Sequence, residues 1–143
     1  MVKRQHSIKK HDMVVTTDRL VHAQRILEQY PSILAAYLHG STAKGTARPD
    51  SDVDIAVLPK TGEHIPLKTR LECAGDLESV LGCPVDIGEL STRNLVYAKE
   101  VIAAGQEIFT ANRFESERFM ATCLAMYSEL QQQRKEVLDA YIS

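Results

Sequence analysis

The sequence predicts an α/β (α+β) domain in which helices pack against one mixed β-sheet. Apolar residues recur every three or four positions in several segments, and short apolar runs rich in β-branched residues separate those segments. The resulting order is helix, strand, strand, helix, strand, helix, strand, helix, which favours a single sheet covered by helices. A chain of 143 residues, 44% of them hydrophobic, suffices for one domain with an ordinary core.

Composition and charge exclude several classes of protein. The formal net charge of −2 gives no support to bulk nucleic-acid binding. No apolar run reaches the roughly 18 residues of a membrane span, and the N-terminus lacks the apolar core of a signal peptide. A cytoplasmic location is therefore expected. The three cysteines form no CxxC pair and are expected to be reduced and mostly packed: Cys73, Cys83 and Cys123.

The N-terminal region is polar and basic. We expect residues 1–16 to form a flexible tail ahead of a single domain over residues 17–143. An arm that contacts nucleic acid or an acidic partner is the alternative. Thr17 and Asp18 favour the start of the first helix, which Pro31 stops. Its apolar stripe is expected to face the core: Leu20, Ala23, Ile26, Leu27 and Tyr30.

A glycine–serine turn and two carboxylates stand close together in the chain. A strand predicted over residues 32–38 leads to Gly40 and Ser41, and ten residues later Asp52 and Asp54 open a second strand. Glycine lets the backbone approach a phosphate, and Ser41 can cap a short helix whose N–H groups face an anion. Carboxylates two positions apart in a strand share one face, where their repulsion favours Mg²⁺. The pattern predicts a nucleoside triphosphate site, with a hairpin-like connection as the alternative.

Two neighbouring side chains have open assignments. His39 is expected to be a neutral, hydrogen-bonded turn histidine, with a phosphate or base contact as the alternative. Arg48 lies in the loop before Asp52, where it could reach a triphosphate or lie in solvent.

The next helix is predicted from Pro66 to Leu81, ended by Gly82. Its core face is expected to comprise Leu67, Leu71, Ala74, Leu77 and Leu81.

A third strand, residues 84–88, contains one acidic residue, Asp86. A carboxylate in a strand packed on both sides is costly unless it has a partner or a cation, so Asp86 is a candidate for the site. A polar residue on an edge strand is the alternative, and Glu89 is the second choice for the site.

The last part of the chain reads as helix, strand, helix. Ser91 can cap a helix over residues 93–104, and a strand follows over residues 106–110. Arg93 is a candidate contact for the nucleotide or a partner. Residues 114–142 then form one long helix with heptad-like spacing, which either packs along its own domain or forms a seam with a partner.

The central stretch resembles a known family. Gly40-Ser41, ten residues, then Asp52-Val53-Asp54 is similar to the GSx10DxD signature of the DNA polymerase β-like nucleotidyltransferase superfamily. The form GSTAKGTARPDSDVDIAVL is most similar to minimal nucleotidyltransferases (MNT or MntA-like), the antitoxins of HEPN/MNT toxin–antitoxin systems. The resemblance covers roughly residues 31–110 and implies a polymerase β-type nucleotidyltransferase core.

The resemblance also implies residue roles. The acidic residues would be catalytic and would hold two Mg²⁺ ions, with the last also acting as general base: Asp52, Asp54 and Asp86. The nucleotide would be bound by Gly40, Ser41 and Lys44. Lys44 stands where family members often carry arginine, so it keeps the charge without the planar fork.

The activity implied by the resemblance is Mg²⁺-dependent transfer of AMP from ATP to a tyrosine hydroxyl of a cognate HEPN RNase toxin, within a complex of the two proteins. Direct nucleic-acid binding is not expected. The alternatives are a non-catalytic antitoxin that inhibits by binding and an aminoglycoside-type small-molecule nucleotidyltransferase. An RNA or DNA nucleotidyltransferase lacks support from a basic patch or a base-stacking aromatic set.

Overall fold

A computed structural model describes residues 17–40 and 52–142 of the chain. The elements follow the predicted order. The helices are α1 (Thr17–Glu28), α2 (Leu67–Leu81), α3 (Leu95–Ala104) and α4 (Arg113–Ile142). The strands are β1 (Ile33–His39), β2 (Val53–Pro59), β3 (Val85–Glu89) and β4 (Gln106–Thr110). The predicted tail, residues 1–16, lies outside the described residues.

The four strands form one mixed sheet in the order β3-β2-β1-β4. β1 pairs antiparallel with both β2 and β4, whereas β2 pairs parallel with β3. The two edge strands are therefore β3 and β4. This arrangement confirms the predicted mixed sheet flanked by helices.

Successive side chains of a strand point to opposite faces of the sheet, so the sheet has two apolar faces. Helices cover both of them. Leu38 and Ile55 face α1 and α2 in one apolar cluster. Tyr37 and Ala56 face α3 and α4 in the other. Cys73 and Cys123 are buried and Cys83 is half-buried, and all three are free thiols.

The buried face of α2 differs from the predicted one. Cys73, Leu77 and Leu81 are buried, whereas Leu67 and Leu71 are 62% and 64% exposed. Steps of four residues connect the three buried positions on one side of the helix. At 3.6 residues per turn, Leu71 lies nearly opposite Cys73, so the prediction for Leu67 and Leu71 was wrong.

The start of α3 also differs from the prediction. Asn94 caps the helix, because its Oδ1 accepts a hydrogen bond from the Tyr97 backbone N–H at 3.3 Å. Ser91 instead stabilises the preceding turn by accepting from the Arg93 N–H at 3.0 Å. The helix therefore begins at Leu95, two residues later than predicted.

The long helix α4 packs on the domain only in its first half. Ser116 and Cys123 are buried there, whereas every residue in the range 131–142 is exposed. Packing along its own domain therefore explains only part of α4. Of the helices in the described parts of the chain, none has an apolar stretch long enough to cross a bilayer.

Candidate active site

Three acidic residues lie near one end of the β2–β3 pair. Asp54 and Asp86 are direct partners in the parallel register of these strands, so their side chains share one face of the sheet. Asp52 immediately precedes β2 and is exposed. Burial raises the pKa of Asp54 above its ordinary value, and repulsion from Asp86 and Asp52 raises it further, while His39 acts in the opposite direction. The predicted pairing of acidic side chains across two strands is therefore present.

The environment of Asp86 is not the one expected from the sequence. β3 was expected to be packed on both sides, with a polar edge-strand residue as the alternative. The alternative describes the environment correctly, because β3 is an edge strand and Asp86 is exposed. Because solvent reaches this edge, the carboxylate does not need a buried partner. The same exposure leaves Asp86 accessible to a second molecule.

Glu89, the second choice for the site, lies away from the acidic group. Its Oε1 accepts a hydrogen bond from the Ile65 backbone N–H at 2.9 Å. It lines a cavity of about 390 Å³ together with Lys60 and Arg118. Arg93 is exposed in the turn before α3. Neither residue is brought to the acidic residues by these contacts.

Gly40 forms the turn that follows β1. Its φ of 72° lies in the left-handed region, which favours glycine. A Cβ atom at this position would collide with Oδ2 of Asp54. The backbone after β1 therefore passes directly against the Asp54 carboxylate, and only glycine fits there. Ser41 and Lys44, the other predicted nucleotide-binding residues, lie outside the described residues, as does Arg48.

His39 is the last residue of β1 and the register partner of Asp54. Its Nε2 lies 3.0 Å from the hydroxyl oxygen of Tyr97. The two rings meet edge to face, with centroids 5.3 Å apart and an interplanar angle of 80°. Burial lowers the pKa of His39, against the opposing effect of Asp54 and Asp86. These contacts agree with the predicted neutral, hydrogen-bonded histidine.

Tyr97 was not identified from the sequence. It is the aromatic residue of α3, and burial together with the charges of Asp54 and Asp86 raises its pKa to about 12. Its place in the chain is typical of a core residue, and only the folded structure brings it to His39. One available signal was Gly88, because a glycine inside a strand often marks a close approach by another group.

The acidic residues offer oxygen ligands but not a preformed metal site. Within residues 17–40 and 52–142, no group of three His, Cys, Asp or Glu side chains is placed to hold a metal ion. Carboxylates are nevertheless the ligands that Mg²⁺ prefers, and it usually binds through one or two of them plus substrate phosphates. Burial is the main reason for the raised pKa of Asp54, and the repulsion from Asp86 and Asp52 that adds to it is one that a cation would relieve. The donor chemistry therefore fits Mg²⁺ that arrives with a nucleotide.

The chain matches a known protein family over most of its described length. Residues 22–114 match the family model described as polymerase beta, nucleotidyltransferase. Protein adenylyltransferase MntA from Shewanella oneidensis is 30% identical over 112 residues, which cover 78% of this chain and 78% of MntA.

Solved structures show the same fold. A chain in a crystal structure of a toxin–antitoxin with AMP-PNP is 27% identical, with a TM-score of 0.66, over 88% of this chain and 98% of that one. A chain in a structure of the tri-AMPylated S. oneidensis HEPN toxin in complex with its MNT antitoxin is 25% identical. It has a TM-score of 0.65 and covers 87% of this chain and 97% of that one. The similarity thus extends over nearly the whole length of each matched chain.

Proposed function

Because the chain belongs to the polymerase β nucleotidyltransferase family, we propose that it is a protein adenylyltransferase and the antitoxin of a HEPN-domain toxin. The donor is ATP, and the acceptor is a tyrosine hydroxyl of the toxin. The observation that carries this proposal is the alignment of Asp54 with Asp86 beside the Gly40 turn. The similarity to MntA and to structures with AMP-PNP and an AMPylated toxin supports the donor and the partner.

The positions of the acidic residues support the following transfer step. The acceptor hydroxyl gives its proton to Asp86, and its oxygen forms a bond to the α-phosphorus of ATP. The bond from that phosphorus to the bridging oxygen of the β-phosphate breaks, and pyrophosphate leaves. Asp86 suits the role of general base because it is exposed at the sheet edge, where the side chain of a docked protein can reach it.

The same residues would bind the metal ions and the triphosphate. Asp52 and Asp54, assisted by Asp86, would hold two Mg²⁺ ions, which neutralise charge on the phosphates. Gly40 brings the backbone to the edge of this acidic group, and we assign nucleotide binding to it together with Ser41 and Lys44.

The test is the intact mass of a cognate HEPN-domain toxin after incubation with the protein, ATP and Mg²⁺. The expected result is a mass increase in steps of one adenylyl group. The double variant Asp52→Asn/Asp54→Asn should fold normally and add none, because it lacks two of the three carboxylates. A matched control, Asp18→Asn/Glu72→Gln, removes two exposed carboxylates from α1 and α2 and should retain full activity.

Three results would replace all or part of this proposal. A tight complex with an unmodified toxin, formed equally well by the Asp52→Asn/Asp54→Asn variant, would identify a non-catalytic antitoxin. Full transfer by that double variant would show that Asp52 and Asp54 are not needed for catalysis. Transfer to an aminoglycoside but to no protein would identify a small-molecule enzyme.

The cytoplasm is the proposed place of action. Both ATP and newly made toxin are available there.

A further inference from the structure

We propose that Tyr97 is a positioning residue for the transfer reaction: its hydroxyl holds the His39 ring beside Asp54, and its aromatic ring fills the space over Gly88 beneath Asp86. This inference rests on the proposed function, because it concerns the same site. Tyr97 acts through His39 and the strands rather than by contact with the reacting atoms.

The first step is a row of three side chains across three strands. His39 of β1 is opposite Asp54 of β2, and Asp54 is opposite Asp86 of β3. Directly opposed residues of neighbouring strands project to the same face, and in an antiparallel pair such as His39 and Asp54 their Cβ atoms are about 4.5–5.5 Å apart. A change in the orientation of the His39 ring therefore alters the surroundings of Asp54 directly.

The second step concerns the next row of the sheet, which leaves room for an aromatic ring. Ala56 is opposite Gly88 in the register, and both residues are small. A Cβ atom on Gly88 would collide with the Tyr97 hydroxyl and would lie 2.9 Å from its Cζ atom. The ring of Tyr97 therefore occupies the space that a side chain at Gly88 would take.

The third step is that Tyr97 itself is held in place. Asn94 caps α3 through the Tyr97 backbone N–H, which fixes the first turn of the helix. From this turn the side chain makes both the 3.0 Å hydrogen bond to His39 Nε2 and the edge-to-face ring contact. Two contacts of different kinds thus define one orientation of the imidazole.

The consequence concerns the backbone that follows His39. Gly40, the next residue, turns with φ of 72° against the Asp54 carboxylate. A fixed His39 ring therefore also fixes the backbone position at which the Gly40 turn begins. A misplaced His39 ring or glycine turn should lower the rate of transfer more than it weakens ATP binding. This holds when the misplaced group acts chiefly in the transition state.

The test uses Tyr97→Phe, which keeps the aromatic ring and removes only the hydroxyl. We expect kcat for AMP transfer to fall about 10- to 100-fold, with an unchanged KM for ATP and a melting temperature close to that of the wild type. Tyr30→Phe is the matched control. It removes a hydrogen bond of 2.6 Å to Asp76 on the other face of the sheet, and kcat should not change.

A double-mutant cycle separates positioning from a general loss of structure. If Tyr97 acts through His39, Tyr97→Phe should cause no further fall in kcat once His39→Gln is present. Independent, additive losses in the double variant would contradict the inference.

A second measurement does not depend on activity. Long-range ¹H–¹⁵N spectra of the imidazoles, recorded without ATP or metal, report the tautomer of His39, whose signals are those lost in His39→Gln. Tyr97→Phe should shift these signals and mix the tautomers, and unchanged signals would overturn the inference. Unchanged kcat in Tyr97→Phe, with an active wild type, would overturn it as well. A wild type that transfers no AMP to any toxin would instead overturn the proposed function.

Discussion

Gly40 and Asp54 constrain each other at the end of β1. The glycine has a left-handed φ, and the space that a side chain would need is filled by the carboxylate. The aspartate in turn has a raised pKa because it is partly buried and close to Asp86 and Asp52. Each residue therefore has a structural cost that only its place in the site explains.

Replacing Gly40 with alanine should destabilise the protein and abolish transfer. A left-handed φ costs alanine about 1–2 kcal/mol, and the collision with Asp54 adds to this cost. Gly62→Ala is the matched control: Gly62 has φ of 81°, but a Cβ there would have no atom within 4 Å. For Gly62→Ala, denaturant unfolding should show a moderate loss of stability, and the AMP-transfer assay should show full activity. Equal activity in the two variants would contradict the assignment of Gly40.

The raised pKa of Asp54 predicts a pH-dependent effect on stability. The folded protein binds this proton more tightly than the unfolded chain does, so the favourable contribution is present at acid pH and is lost as the pH rises through the folded-state pKa. Asp54→Asn, which cannot ionise, should therefore melt at a higher temperature than the wild type at neutral pH. The difference should disappear below the ordinary pKa of 3.8. Melting curves of both proteins from acid to neutral pH, recorded with a metal chelator present, test this prediction. A difference in melting temperature that does not change with pH would contradict it.

Local motifs explain which site residues could be predicted. Gly40, Asp52 and Asp54 have fixed spacing in one stretch of chain, so the sequence alone makes them candidates for the site. Asp86 was a candidate because a carboxylate inside a strand is costly, and the family resemblance supplied its role; its edge-strand environment was only the alternative expectation. Tyr97 could not be predicted, because its meeting with His39 depends on the sheet register and on where α3 crosses the sheet.

At the scale of elements, α2 shows that the spacing of apolar residues does not by itself define a buried face. Its buried positions are Cys73, Leu77 and Leu81, while two leucines of the first turns are exposed. The small thiol of Cys73 is buried in the cluster against the sheet, whereas the larger Leu71 is exposed. The element boundaries were easier to predict, because Pro31, Gly82 and Gly105 interrupt the apolar patterns.

The same substitution at two positions of α2 should have very different effects. Leu77→Ala removes a fully buried side chain and should reduce the free energy of unfolding by about 2–5 kcal/mol. Leu71→Ala affects a side chain that is 64% exposed and should change it by less than about 0.5 kcal/mol. Urea unfolding of both variants checks this difference. Similar losses of unfolding free energy in the two variants would show that Leu71 is buried, as the leucine pattern predicted.

At the scale of the whole molecule, α4 divides into a packed half and an exposed half. Ser116 and Cys123 are buried, but Val137 and Tyr141 are 68% and 89% exposed. The sequence predicted a single long helix correctly. It did not determine how much of that helix the domain covers, since this depends on the dimensions of the sheet. The strand order also needed the structure, because β4 pairs with β1 across most of the chain.

Ending the chain after Leu130 should leave the domain folded. The residues removed in the range 131–142 are all exposed, so the free energy of unfolding should change by less than about 1 kcal/mol. Ending it after Phe119 removes the buried Cys123 and should destabilise the domain strongly. Thermal unfolding of the two shortened chains tests the division. A large loss in the longer one would show that the end of α4 contributes to the domain.

The position of β1 between β2 and β4 has a consequence for synthesis on the ribosome. The chain emerges N-terminus first, at about 5–20 residues per second. Gly40 and Asp54 therefore leave the ribosome well before Tyr97 and before β4, the strand that completes the sheet beside β1. A nascent chain thus carries the nucleotide motif before the surrounding structure can form. Chains released before β4 is made are therefore expected to lack both the completed sheet and the proposed transfer activity.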